Sequence, residues 1–235
     1  MVRSIAAKVS PQSEKQQGDK FFEELKTEIQ FDSDSNKVAR LAAMAEPLLR
    51  VAPGSVNWQF HLAKEGLPNA FALPGGHIVV TTGLLELAKT PEEVLGPIAH
   101  EMAHVTRKHI FRHQIASAGP LLVLQLFLRG KGGAVGLLAG GSALLVNQSF
   151  SQEYEKEADD TGWDYLVAAN IDPRGMISMF RKLKTAEENE KIIDIVPKAF
   201  QSHPDLEKRI DRMEKKWKRL RRKTGFLELK GEEVQ

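Results

Sequence analysis

In the stretch from Pro97 to His109, "PIAHEMAHVTRKH", two histidines stand four residues apart with a glutamate directly after the first. On an α-helix each residue turns the chain by roughly 100°, so positions four apart lie on nearly the same face. His100 and His104 can therefore aim imidazole nitrogens at one point, at a zinc–nitrogen distance of about 2.0–2.1 Å. Glu101 sits too far round the helix to join them as a ligand. Its carboxylate can instead take a proton from a water held there. Five residues thus offer two ligands and a general base. The plainer alternative is a helix that buries two hydrogen-bonded histidines.

A catalytic zinc needs a third protein ligand and an open fourth position. The pattern with a third histidine ten residues after the first fails, because Ile110 occupies that position and Arg107 replaces its glycine. His109 and His113 also stand four apart, without an intervening glutamate. On a continuous helix they lie roughly 140° and 180° round from His104. That assigns both to the surface or to packing, away from the site. The remaining candidates are carboxylates downstream, where "EYEKEADD" offers Glu153, Glu155, Glu157, Asp159 and Asp160 on one predicted helix. Glu155 and Asp159 share a face, so one carboxylate can bind metal while the next holds a ligand histidine by its far nitrogen. Spacing leaves Glu153 and Glu155 both open.

The elements that must position these groups follow from hydrophobic period. Helices are predicted over residues 10–29 and about 34–49, the latter broken by "VAPG". Short β-branched and aromatic strands fill "VNWQFHLAKEGLPNAFALPGGHIVVTTG". A helix begins near Gly83. The next starts at "TPEEVLG", with Thr90 as N-cap, Pro91 in the first position and Glu93 in the first turn. The acidic helix, a helix from "DPRGM" onward and a basic helix in "SHPDLEKRIDRMEKKWKRLRRK" complete the chain. Residues 119–146 hold two apolar runs, "LLVLQLFL" and "AVGLLAGGSALLV", of 8 and 13 residues. Both are shorter than the roughly 20 that a membrane span needs. Buried helices around a glycine-rich turn are the expectation, with a cover over a cleft or a membrane-surface patch as alternatives. Between Glu207 and Lys223, ten Lys or Arg face three Asp or Glu. A solvated face is the ordinary reading of such a run.

Composition adds boundaries. The 235 residues can bury a core without staples, and 42% hydrophobic with 27% charged residues is ordinary for a water-exposed globular domain. A net charge of +2 and the lack of a phosphate-cradling glycine loop point to no nucleic-acid partner. With no cysteine in the chain, disulfides, thiol nucleophiles and thiolate metal sites are excluded. The first twenty residues carry no apolar run of signal-peptide length.

Taken together, "NAFALPGGHIVVTTGLL", "AHEMAHVTRKH", "EKEADDTGWDYL", "DPRGM" and "SHPDLEKRI" resemble the M48 family of zinc metallopeptidases. That group includes the CAAX prenyl protease, the heat-shock membrane protease and the periplasmic outer-membrane-quality proteases. The resemblance runs from roughly Asn57 to Arg212. It implies a mostly helical α+β, zincin-type (gluzincin-like) fold with a small sheet bordering the cleft. Residues 1–55 would be helices packed on a protease domain of 56–212, followed by a basic helix or tail, 213–235. It also implies one Zn2+ per chain, held by His100, His104 and Glu155, with Glu101 catalytic. The family's Glu-x-x-Ala-Asp element matches Glu155 to Asp159, which selects Glu155 and gives Asp159 a supporting role. Asn69, Ala70 and Phe71 would bind an extended polypeptide substrate at a strand edge. His203 would act near the metal, on the oxyanion or as a resting ligand, with Arg209 in support. The implied location is the bacterial envelope or periplasm, soluble or lipid-anchored, with peripheral membrane contact left open. A zinc-containing chaperone-like or membrane-surface binding protein with a closed cleft is the rival expectation.

Overall fold

A computed structural model describes residues 2–117, 150–189 and 205–229. The apolar segment 119–146 and His203 lie outside the described residues. The chain opens with α1 (Val2–Ala6), α2 (Pro11–Leu25) and α3 (Ser35–Val51). Three strands follow, β1 (Gln59–Ala63), β2 (Ala70–Leu73) and β3 (His77–Thr81), the last two joined through a 3-10 turn at Pro74–Gly76. Then come α4 (Thr82–Leu87), α5 (Pro91–Thr106) and a helical stretch over 109–117. The acidic helix is α6 (Gln152–Ala168), and α7 (Arg174–Asn189) and α8 (Leu206–Arg219) complete the series. The architecture is mostly helical α+β with one small sheet, as the sequence led us to expect.

Two predicted helix bounds shift. The first helix stops at Leu25 rather than near residue 29, although Ile29 N–H still bonds the Leu25 carbonyl at 2.9 Å. Ile29 packs on the cluster of Phe21, Leu25 and Phe71, so its helical spacing reflected burial instead of helix. The second helix runs on to Val51 with Pro47 inside it.

The sheet has the order β1-β3-β2, with β1 parallel and β2 antiparallel to the central β3. All five residues of β3, "HIVVT", are buried, as suits a β-branched strand packed on both faces. The outer side of β1 is covered by residues 30–32: Lys64 N–H bonds Gln30 O at 2.7 Å and Asp32 N–H bonds Leu62 O at 2.8 Å. Among the described residues, β2 has no strand neighbour except β3.

Two histidines tie this sheet to α2. His77 Nε2 lies 3.0 Å from Asp19 Oδ1, and His61 Nε2 lies 3.0 Å from His77 Nδ1. One tautomer set satisfies both bonds: His77 donates to Asp19 and accepts from His61. Phe22 stacks on the His61 ring with centroids 3.8 Å apart. Burial, with His77 and Lys26 nearby, pushes His61 down to about 4. Burial also lowers His77, against the pull of Asp19. An unfolded histidine titrates near 6.5, so between about 6.5 and 4 the unfolded chain binds more protons. This contribution to stability is therefore complete above about pH 6.5 and is lost as pH falls toward 4. The melting temperature should drop over that window. His61→Phe, which keeps the stack, should flatten the drop, and an unchanged slope in the variant would contradict the assignment.

The centre of the molecule is α5. Thr90 caps it by position but its side chain makes no cap bond. Glu93 reaches back instead, accepting the Lys89 N–H at 2.5 Å. The same buried carboxylate accepts from Ser178 Oγ and Lys182 Nζ of α7, both at 2.6 Å. From Glu93 to Val105 every residue of α5 is buried. Two glycines let its neighbours come close. A Cβ on Gly162 of α6 would sit 2.9 Å from the Ala99 carbonyl oxygen, and one on Gly96 would sit 2.5 Å from Met176 Cα of α7. The helix is thus held between α6 and α7, with β2 against it as well.

Candidate metal centre

His100, Glu101 and His104 are buried, and their ligand atoms lie within 4.8 Å of one another. The two imidazole Nε2 atoms face each other at 3.0 Å. Glu155, from the first turn of α6, puts Oε2 3.5 Å from His100 Nε2 and Oε1 3.5 Å from His104 Nε2. Ligand atoms about 2.0–2.1 Å from a tetrahedral zinc stand roughly 3.3–3.4 Å apart. The separations of 3.0, 3.5 and 3.5 Å bracket that value. The donor set therefore fits a small divalent cation.

Each group is held from behind. Asp159, one turn after Glu155, lies with Oδ1 3.0 Å from His100 Nδ1, which leaves Nε2 turned to the centre. The Arg209 guanidinium of α8, 2% exposed, bonds Asp159 through Nη2 at 2.7 Å and approaches Glu155 Oε2 through Nη1 at 2.9 Å. Glu155 Oε1 faces away from that contact and toward His104. Arg209 Nη2 also comes within 3.2 Å of His100 Nδ1, a proximity of two donors rather than a bond. Arg212 adds a bond to Asp159 Oδ2 at 2.7 Å. Burial works against the Asp159 charge, but Arg209 and His100 outweigh it and hold the carboxyl well below the usual range.

The electrostatics ask for positive charge. Glu101, Glu155 and Asp159 are buried carboxylates set against one fully buried guanidinium, Arg209. Arg212 adds a second, partly exposed guanidinium on Asp159, and the negative charge still left among the carboxylates favours a cation at the centre. Burial and Arg209 oppose protonation of His100, yet Asp159 and Glu155 push it up to about 9. In water-poor surroundings this arrangement stabilises a cation between the carboxylates.

The family model for peptidase family M48 matches residues 34–217. The chain belongs to peptidase family M48. By that membership it is a metallopeptidase with a zincin-type fold. It is 34% identical to metalloprotease LoiP of Escherichia coli (strain K12), over 73% of this chain and 67% of that protein. To the mitochondrial metalloendopeptidase OMA1 of Arabidopsis thaliana it is 36% identical, over 54% of this chain and 26% of that protein. To the beta-barrel assembly-enhancing protease of Yersinia pestis it is 28% identical, over 63% and 32% respectively. The M48 chain thus spans about two thirds of LoiP and a third or less of the other two.

In this M48 chain α5, α6 and α8 bring His100, Glu101, His104, Glu155, Asp159 and Arg209 together. Asn69 stands just before β2, with its N–H 2.8 Å from Thr81 Oγ1 and its carbonyl accepting the Thr81 N–H at 3.0 Å. Ala70 and Phe71 are buried in β2, which packs against α5. His203 lies outside the described residues.

One expectation is corrected. His109 was placed away from the site on the premise of a continuous helix, but α5 ends at Thr106 and Lys108 adopts a left-handed φ of 55°. The break swings His109 back until its Nδ1 lies 3.0 Å from His104 Nδ1, fully buried. Holding a lysine in that region costs about 1–3 kcal/mol. Lys108 Nζ offsets part of this by bonding the Val9 carbonyl at 2.8 Å and pairing with Glu14. Histidines five apart gave no signal for this. Arg212 was also missed, because a basic run reads as solvated.

Proposed function

We propose that this M48 metallopeptidase is an endopeptidase using one zinc per chain, held by His100, His104 and Glu155. The near-tetrahedral spacing of those three donors beside Glu101 carries the reading. Zinc bound there supplies Lewis acidity to water and to the scissile carbonyl. Glu101 takes the proton of the attacking water and hands it to the departing amine. Asp159 fixes the His100 ring, and Arg209 holds Asp159 and Glu155 in register. The resemblance gives His203 a role near the metal, on the oxyanion or as a resting ligand.

Substrate recognition follows from β2. The bonded pair Asn69–Thr81 sets the alternation of the antiparallel ladder, so Phe71 and Leu73 bond to β3. The N–H and C=O groups of Ala70 and Ala72 then turn to the outer edge. An extended peptide can pair there beside α5, held by its main chain and read only weakly by its side chains. Ala72→Pro removes one outward N–H without touching the ladder. It should weaken kcat/KM on an unfolded substrate by roughly tenfold, the worth of about one net hydrogen bond, while zinc content stays unchanged. Unaltered kcat/KM would place the substrate elsewhere.

Its substrates would be misfolded or envelope proteins and its location the bacterial envelope, soluble or lipid-anchored; a relative named as a beta-barrel assembly-enhancing protease supports the envelope part of that reading. No described helix is long and apolar enough to cross a membrane. The direct test is cleavage: the zinc-loaded chain should generate new N-termini from an unfolded protein, chelation should stop this, and zinc should restore it. A chain that holds zinc and binds unfolded protein without ever cutting it would instead be the chaperone-like rival.

A further inference from the structure

The two histidines of the centre are supported by unlike partners. His100 meets a carboxylate directly, Asp159 Oδ1 at 3.0 Å. His104 meets another imidazole, and behind that imidazole stands Glu157, with Oε2 3.3 Å from His109 Nε2. Arg112 Nη1 bonds the same Glu157 oxygen at 2.6 Å, and its guanidinium lies 4.4 Å above the Tyr154 ring. Tyr154 in turn stacks on His109, with centroids 4.8 Å apart and planes inclined by 5°. The His109 ring is thus fixed on its face and at both nitrogens.

Only one proton arrangement satisfies this chain when His104 offers Nε2 to a metal. His104 must then carry its proton on Nδ1 and donate it to His109 Nδ1. His109 must carry its own proton on Nε2 and donate it to Glu157, which also accepts from Arg112. Every donor in the series finds an acceptor. We infer that His109 is a positioning residue for His104, relaying the Glu157 carboxylate one imidazole further out than Asp159 stands from His100. The inference rests on the ligand assignment proposed above. A metal-binding histidine whose far nitrogen is held keeps both its tautomer and its ring orientation, and loss of such a partner costs roughly 10–100-fold in metal affinity.

Two near-isosteres separate this from simple packing. An asparagine carboxamide ends about where the histidine Nδ1 does, and a glutamine carboxamide about where Nε2 does. His109→Asn therefore retains an acceptor for His104, while His109→Gln retains only the contact to Glu157. Zinc dissociation constants are measured by chelator competition on variants whose metal-free forms are shown to be folded. His109→Gln should bind zinc roughly 10–100-fold more weakly than the parent, and His109→Asn should recover most of the loss. Glu157→Met, at a partly exposed position and likewise shown to be folded without metal, should weaken zinc by roughly tenfold. Parental affinity in His109→Gln or in Glu157→Met would overturn the relay, as would equal losses in the Asn and Gln variants. A parent chain that binds no zinc at all would instead overturn the ligand assignment.

Discussion

Glu101→Gln is expected to keep about one zinc per chain and to lose peptidase activity by roughly 10²–10⁴-fold. Glutamine matches glutamate in shape and can still orient a water, but at neutral pH it cannot accept that water's proton. The buried position of Glu101 sharpens the effect, because its carboxylate shares one cluster, within 4.8 Å, with the ligand atoms of both histidines, whereas Asp159 and His109 stand behind the rings at their far nitrogens. The loss should fall on kcat, since the substrate edge at β2 is untouched. Metal analysis and steady-state kinetics on one preparation decide the matter. Activity within a few-fold of the parent would remove Glu101 from proton transfer.

Arg209→Met should destabilise the metal-free protein by about 3–5 kcal/mol, the usual result of stripping one partner from a buried ion pair. Methionine preserves much of the stem that packs near Phe180, over which the guanidinium lies at 4.4 Å. It leaves Asp159 and Glu155 buried without their shared cation. Both carboxylates help keep Arg209 charged despite its complete burial, Asp159 the more strongly. Urea unfolding without metal measures the loss directly, because zinc binding would otherwise add stability of its own. A change under about 1 kcal/mol would show that Asp159 draws its support chiefly from Arg212.

What the sequence revealed about the site depended on how local each feature was. The relation of His100, Glu101 and His104 is a matter of helical period alone, and it was legible at once. The choice of Glu155 over Glu153 depends on how α6 is rotated against α5, which Gly162 and Ala99 set by close approach. Spacing was silent there; the family resemblance points to Glu155, whose carboxylate oxygens lie 3.5 Å from Nε2 of His100 and of His104. The basic run shows the same limit. Arg209 and Arg212 turn inward to Asp159, and Lys216 reaches Asp160 at 3.0 Å and Asp164 at 3.7 Å. A stripe of cations on α8 answers a stripe of carboxylates on α6, and neither helix announces its partner. His109 was illegible for a different reason: a left-handed lysine leaves no mark of the kind that glycine leaves. In the fold, strand positions followed from β-branched runs, whereas the order β1-β3-β2 arises only from long-range pairing.

Zinc-edge anomalous diffraction from crystals of the zinc-loaded protein tests the convergence of the three donors most directly. One peak per chain is expected, about 2.0–2.2 Å from Nε2 of His100, Nε2 of His104 and an oxygen of Glu155. The absence of a peak there, or a Glu155 carboxylate turned out of reach of the two imidazoles, would contradict the account.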